Sequence, residues 1–405
     1  MHSNYSTHMI TVVGGTYREI NDDSLTHEIF GSGFRCCKYL LENNCSVKFH
    51  TSGNSEVEKY LNENVNAYNA LSFELTPSSE LIAFKYSFAL DNPSIFPGLS
   101  NIKKTSGINI EADDVVAYGL LESDCRINSK RAVYDPQTAI TPRKFSEFGT
   151  AEELVYIVNM SEASSIAESD DIDKIVEYFF KKEEVTAVII KNGPYGATLY
   201  DGKKRHVIPS YITPQVHKIG SGDIFTASFA YYWMVKGLPI DVSASNASLS
   251  TAYFCDLQAY VDVHSLGLTS PYKETIPGDL SLKKIYLAAP FFTLADLILV
   301  EKIRNAFLAF GVNIFSPFHE VGLGIDKSVA LKDLKGLDDA DLVFCMFDHL
   351  DSGTLIESGY ALATNKTIIG YHRTCNDDKL LMLSPGKLTL FDNLTTAIYH
   401  AIWNL

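Results

Sequence analysis

Short apolar runs, separated by longer polar and amphipathic stretches, set the rhythm of this chain. Positions 9–15 read M-I-T-V-V-G-G, a buried strand that ends in a glycine pair. Positions 34–42 predict a helix and 46–50 a short strand, and further short strands are predicted at 115–120, 132–134, 156–158 and 187–191. Strands that alternate with helices predict a mostly parallel sheet with helices on its faces. No run between the first strand and helix 34–42 reads as a β-stranded lid. The rhythm breaks at 267–278, G-L-T-S-P-Y-K-E-T-I-P-G, a Pro-, Gly- and hydroxyl-rich linker composition. A fresh strand follows at 283–289 (K-K-I-Y-L-A-A). Next comes a helix carrying Leu294, Leu297, Ile298, Ile303, Phe307 and Phe310 at helical spacing, then strands at 312–315, 341–347 and 367–371. The expected organisation is a domain over 1–270, a linker over 271–281 and a domain over 282–405.

The bulk composition narrows the function classes. A chain of 405 residues exceeds one ordinary core and favours at least two domains. A net charge of −15 argues against a nucleic-acid face, which needs a basic surface. The longest apolar stretch, 286–300, is broken by Pro290, Thr293 and Asp296, so no membrane span is expected. The first residues carry no basic-then-apolar leader pattern, and seven irregularly spaced cysteines read as reduced thiols, with Cys36-Cys37 in the core. Together these point to a cytoplasmic protein acting on small molecules.

The sharpest chemistry sits at 346–363, M-F-D-H-L-D-S-G-T-L-I-E-S-G-Y-A-L-A, where a strand runs into a helix. Glu357 lies six residues after Asp351, and Ser352, Gly353 and Thr354 between them offer backbone amides at a helix N-terminus. Paired carboxylates at the carboxyl end of a parallel strand suit chemistry at a glycosidic carbon. Two plain readings compete: Thr354-x-x-Glu357 is also a capping box, and Asp333 alone reads as a solvated helix residue.

The segments I-Y-L-A-A-P-F-F (285–292), L-K-D-L-K-G-L-D-D-A-D-L-V (331–343) and D-S-G-T-L-I-E-S-G-Y-A (351–361) together resemble the nucleoside 2-deoxyribosyltransferases, a flavodoxin-like family. The resemblance implies Glu357 as the nucleophile, with Asp351 and Asp333 as carboxylates handling base and sugar. It implies Tyr286 as the hydroxyl that orients the nucleophile, and no cofactor. Crowded carboxylates would titrate apart, one of them supplying a proton to the departing base. Related nucleotide hydrolases more often carry Ser where Asp351 stands, so a nucleoside is favoured over a nucleotide. Asn393 falls where the family has an asparagine contributed to a neighbouring subunit's site, although Asp392 or Asn393 is equally a helix N-cap. The family habit of completing sites across subunits predicts a homo-oligomer. His319 and Glu320 lie on a loop able to cover substrate or merely decorate the surface.

In the first domain, V-H-K-I-G-S-G-D-I-F-T-A-S-F-A (216–230) is a glycine-rich turn entering a helix. Gly220, Ser221 and Gly222 would form an anion hole, with Asp223 as the base for a substrate hydroxyl. Asn159-Met-Ser-Glu162 and Lys191-Asn-Gly193-Pro-Tyr-Gly196 follow the pattern of the ribokinase-like, PfkB-type sugar and nucleoside kinases, and the chain resembles that family here. The resemblance implies a three-layer α/β/α domain, ahead of the smaller flavodoxin-like parallel α/β domain. It implies ATP and Mg²⁺ as cofactors, Asn159 and Glu162 near Mg²⁺, Lys191 and Gly193 near phosphate, and Gly14 and Gly15 at the substrate. Two departures stand out. His217-Lys218 replaces the usual Asp-Thr before the turn, and the Gly- and Asn-rich first signature is reduced to G-S-G-F-R-C-C (31–37). The leading expectation is a bifunctional enzyme acting on nucleoside, nucleotide or sugar substrates, with glycosyl transfer or hydrolysis plus phosphorylation. The alternatives are a regulated, nucleotide-depleting glycosidase whose kinase-like domain only senses a ligand or scaffolds an oligomer, and a catalytically silent binding module.

Overall fold

The computed structural model describes residues 8–405 apart from 139, 141, 203, 268, 277, 323–325 and 374–376. The chain divides into two compact units, Met1–Thr275 and Ile276–Leu405.

The first unit is built on a nine-stranded sheet. Its order is Arg205–Ile208, Ala197–Tyr200, Ala187–Lys191, Gly149–Asn159, Cys125–Asp135, Ile108–Tyr118, Met9–Val13, Ser46–Gly53, Leu71–Pro77. Pairing is parallel except at Ala197–Tyr200, which runs antiparallel to both of its neighbours, Ala187–Lys191 and Arg205–Ile208. Because side chains alternate along a strand, each apolar run serves two cores. Ile10, Val12, Val116, Val155 and Ile189 face one side, against helices Gly31–Glu42, Ser221–Ala230 and Ile240–Leu257. Val13, Val115, Tyr156, Val158 and Ile190 face the other, against Met160–Ala167 and Ile172–Lys182. The unit is thus the expected three-layer α/β/α arrangement. Cys36 and Cys37 are fully buried.

A second, four-stranded sheet orders Thr26–Ile29, Arg18–Asn21, Ala83–Tyr86 and Ser94–Phe96. This corrects the expectation that no stranded lid exists. Its residues are half-buried or exposed, so no apolar alternation marks them in the sequence. Inside the stretch read as a linker, Lys273–Thr275 is a strand pairing with Ser210–Ile212. Backbone pairing, which the polar composition hides, ties that piece to the first unit.

The second unit carries a five-stranded parallel sheet ordered Asn313–Phe315, Lys284–Ala288, Leu342–Met346, Thr367–Tyr371, Leu388–Phe391. Helices Leu294–Ala309 and Leu394–Trp403 lie on one face, where Phe307 meets Phe344 edge-on. Lys327–Asp338 and Ser352–Ala363 lie with the cluster containing Tyr286, Val343, Cys345 and Ala361. Parallel strands place all their carboxyl ends on one edge, so the loops after Ala288, Met346 and Phe391 meet there. No helix among the described residues is long and apolar enough to cross a membrane.

Candidate active sites

In the second unit, Tyr286 sits mid-strand, fully buried, its ring stacked on Phe315 with centroids 5.4 Å apart. Its hydroxyl donates to Glu357 Oε1 at 2.6 Å. Glu357 is therefore turned inward to the tyrosine, and it does not cap the helix. Helix Ser352–Ala363 is capped by Asp351, whose Oδ2 accepts from the Thr354 amide at 2.9 Å and lies 3.3 Å from the Thr354 hydroxyl. The capping-box alternative does not describe this helix start: Thr354 is the third helical residue, not the cap, and its amide is spent on Asp351. Ser352 and Gly353 remain exposed at the helix start.

Burial pushes the Glu357 carboxyl up to about 7; Tyr286 draws it down, and the charges of Asp333 and Asp351 push it up further. The charges of Asp333 and Asp351 thus both act on Glu357. Asp333, on Lys327–Asp338, has one buried carboxyl oxygen without a hydrogen-bond partner, and burial raises its affinity for a proton. Tyr286 is raised above the ordinary phenol range by burial and by Glu357. Asn393 caps Leu394–Trp403, its Oδ1 accepting from the Thr396 amide at 2.9 Å, so the N-cap reading describes it. His319 lies on the short helix Pro317–Glu320, within 2.9 Å of Ser316 Oγ and 2.8 Å of Glu301.

In the first unit, Gly220 starts helix Ser221–Ala230 at φ +81°, a left-handed conformation that glycine adopts without strain. Asp223, in the first turn, is 8% exposed. Arg35 donates from Nη1 to Asp223 Oδ2 at 2.6 Å and pairs through Nη2 with Glu19 at 2.5 Å. Gln137 Nε2 donates to Asp223 Oδ1 at 3.1 Å. Burial, Asp135 and Glu19 raise the Asp223 carboxyl above its ordinary value, against the pull of Arg35. Burial lowers the Arg35 guanidinium, but Glu19 and Asp223 outweigh it and hold the charge firmly.

Lys191 Nζ bonds Asp135 at 2.6 Å, and Thr226 donates to the same carboxylate oxygen. A β-carbon on Gly222 would lie 3.5 Å from the Lys191 ammonium, which places that ammonium beside the glycine turn. Lys218 reaches Ser221 Oγ at 3.2 Å, and burial lowers its pKa. Two ammonium groups at a helix N-terminus fit the phosphate chain of ATP. Asn159 and Glu162 form a reciprocal capping box on Met160–Ala167. Glu162 is pushed up to about 7 by burial and by Asp135. Asp135 and Glu162 are the carboxylates at hand for Mg²⁺, which would offset phosphate charge when bound; no group of three or more metal-type ligands converges among the described residues.

Gly14 and Gly15 are buried. A β-carbon on Gly14 would lie 2.7 Å from Gly33 Cα, and one on Gly15 would enter the Tyr17 ring, so both glycines serve close packing. Gly193 opens the turn after Ala187–Lys191 at φ +55°. Sequence reasoning missed Arg35, Glu19, Gln137 and Asp135. Asp135 had a readable signal: a carboxylate at the carboxyl end of an apolar strand, A-V-Y-D-P.

A family model for nucleoside 2-deoxyribosyltransferase matches residues 285–387, and one for pfkB family carbohydrate kinase matches 106–252. An uncharacterised protein of Ureaplasma parvum serovar 3 is 28% identical over 99 residues, 21% of this chain. The chain spans 63% of that curated relative's length. Among solved structures, a probable sugar kinase from Rhizobium etli CFN 42 aligns at TM-score 0.48 and 10% identity, covering 64% of this chain and 98% of its own. A pyrophosphate-dependent kinase of the ribokinase family, complexed with a pyrophosphate analog and myo-inositol, aligns at 0.45 and 12%, covering 61% and 95%. Phosphofructokinase-2 from Escherichia coli, in its tetrameric inhibited form, aligns at 0.45 and 11%, covering 64% and 98%. This chain thus joins a pfkB family carbohydrate kinase domain to a nucleoside 2-deoxyribosyltransferase domain.

Proposed function

We propose that the second unit breaks, and in the presence of a second base exchanges, the N-glycosidic bond of a nucleoside. The observation that carries this reading is the 2.6 Å hydrogen bond from Tyr286 to Glu357, which aims a partly buried carboxylate at the carboxyl edge of a parallel sheet. A Glu357 oxygen would bond to the anomeric carbon as the carbon–nitrogen bond breaks, and the base would leave with a proton. Asp333, with its unpaired buried oxygen and raised proton affinity, is the candidate to supply that proton. Water or a second base would then release the sugar from Glu357. Asp351, at the start of the helix that bears Glu357, would repel a 5′-phosphate, which favours nucleosides over nucleotides. Mass spectrometry of the protein incubated with a panel of deoxynucleosides tests the reading. Wild type should release or exchange base and Glu357→Ala should not; equal behaviour of the two would refute it.

For the first unit, kinase ancestry supports ATP- and Mg²⁺-dependent phosphorylation of a sugar or nucleoside hydroxyl, with Asp223 as base. A specific observation favours the second reading, a ligand-sensing unit: Asp223 is held in a buried ion pair with Arg35.

A further inference from the structure

Phosphoryl transfer to a hydroxyl needs a carboxylate oxygen that the hydroxyl can reach. The hydroxyl oxygen bonds to the γ-phosphorus as the bond to ADP breaks, and the hydroxyl proton passes to the carboxylate. In this chain both oxygens of Asp223 already accept donors, Oδ2 from Arg35 and Oδ1 from Gln137. Arg35 is itself only 6% exposed. Its stem lies against the anion-hole turn, because a β-carbon on Gly220 would fall 2.2 Å from Arg35 Nε. The other arm of the guanidinium holds Glu19 on strand Arg18–Asn21 of the small sheet, and Glu19 also accepts from the Gly31 amide at the start of the helix that bears Arg35. One side chain therefore spans the base, the phosphate turn and the lid sheet.

We propose that Arg35 is a built-in occupant of the acceptor site, an autoinhibitory contact that holds Asp223 as its counter-ion and pins the small sheet through Glu19, so that the first unit transfers no phosphoryl group to a hydroxyl while Arg35 stays in place. The inference rests on the reading of Asp223 as the base of a kinase-fold unit. It also accounts for the arginine in G-S-G-F-R-C-C (31–37), a charge placed among buried apolar residues. A buried charge persists only when paired, and here the pairing sets the guanidinium against the group a substrate hydroxyl would have to reach.

The test uses the full chain with Mg-ATP and a panel of ribose, 2-deoxyribose and deoxynucleosides, reading ADP formation and phosphorylated product by mass. Wild type and Arg35→Lys should show no turnover that Asp223→Asn removes. Arg35→Asn, which removes the charge and the stem, should gain turnover on the order of 100-fold, the contribution of a positioned base. That gain should vanish in Arg35→Asn/Asp223→Asn. Should Arg35→Asn not fold, Arg35→Met provides the second variant, since it keeps the apolar bulk of the stem and removes the charge paired with Asp223; it should raise turnover above wild type. Asp223-dependent turnover by the wild type overturns the lock. So does a folded, silent Arg35→Asn that binds Mg-ATP by calorimetry. Turnover that survives Asp223→Asn overturns the reading of the base instead, and absence of Mg-ATP binding in every variant overturns the kinase reading on which the inference rests.

Discussion

Tyr286→Phe isolates the contact on which the glycosidic reading depends. The change removes one oxygen, keeps the ring on Phe315, and deletes the donor 2.6 Å from Glu357 Oε1. Glu357 then keeps the burial and the two neighbouring carboxylates that push it to about 7 and loses the group that draws it down. A hydrogen bond to a charged acceptor contributes about 1.5–3 kcal/mol, so its loss should raise the Glu357 pKa by roughly 1–2 units. The direction follows from which form the bond favours. The hydroxyl donates to the carboxylate, so its removal favours the protonated acid. At neutral pH the wild-type nucleophile is about half ionised, and the variant falls to roughly 1–10%. The assay is the initial rate of base release, followed chromatographically from about pH 5 to 9, with the acid limb of kcat/KM read as the ionisation of the free enzyme. The limb should move to higher pH, and the alkaline plateau should recover much of the lost rate. A limb that stays in place while the rate falls equally at every pH would refute the electrostatic argument, leaving Tyr286 with orientation alone.

Two further outcomes follow from the same site. Glu357 is raised from an ordinary value of 4.5 to about 7, so the folded state binds a proton more tightly than the unfolded chain, and stability from this group is full below pH 4.5 and lost as pH rises to about 7. Glu357→Gln should therefore melt higher than wild type at pH 8, by roughly 2 kcal/mol after allowance for partial exposure, and match it at pH 4.5; equal melting at both values would show that the carboxylate is not strained. Asp351→Asn keeps a good N-cap for Ser352–Ala363 but removes a charge that raises Glu357, so the acid limb should move to lower pH with the melting temperature unchanged, whereas Asp351→Ala should also lose about 1 kcal/mol from the cap.

What the sequence reveals of this molecule follows from the range over which each signal acts. Strands buried on both faces announce themselves as unbroken apolar runs, and 367–371 is read to the residue as Thr367–Tyr371. Leu388–Phe391 is an edge strand and the small sheet is half-exposed throughout, so neither carries a periodic signature. Tyr286 and Glu357 are separable only through the resemblance, because a contact across 71 residues leaves no local trace. The Thr354-x-x-Glu357 pattern is a true local motif that loses to a tertiary one: the phenol binds Glu357, and Asp351 takes the cap three residues earlier. Arg35 and Asp223 stand 188 residues apart, and nothing near either position predicts the pair.

The two sites apply one physical cost in opposite ways. Burial raises the proton affinity of Glu357 and of Asp223 alike. What differs is the partner. Glu357 receives a neutral donor, which steadies the anion yet leaves its charge uncancelled for a developing cationic sugar carbon. Asp223 receives a full positive charge at 2.6 Å. At an effective dielectric of 20, unit charges about 4 Å apart attract by about 4 kcal/mol, and this attraction, set against the cost of removing both charges from water, fixes the ratio of paired to separated forms. A hydroxyl acceptor that binds the paired and separated forms equally cannot change that ratio, however tightly it binds. Under the proposed Arg35 lock, turnover in the first unit would require a ligand that favours the separated form, one carrying its own anion for Arg35.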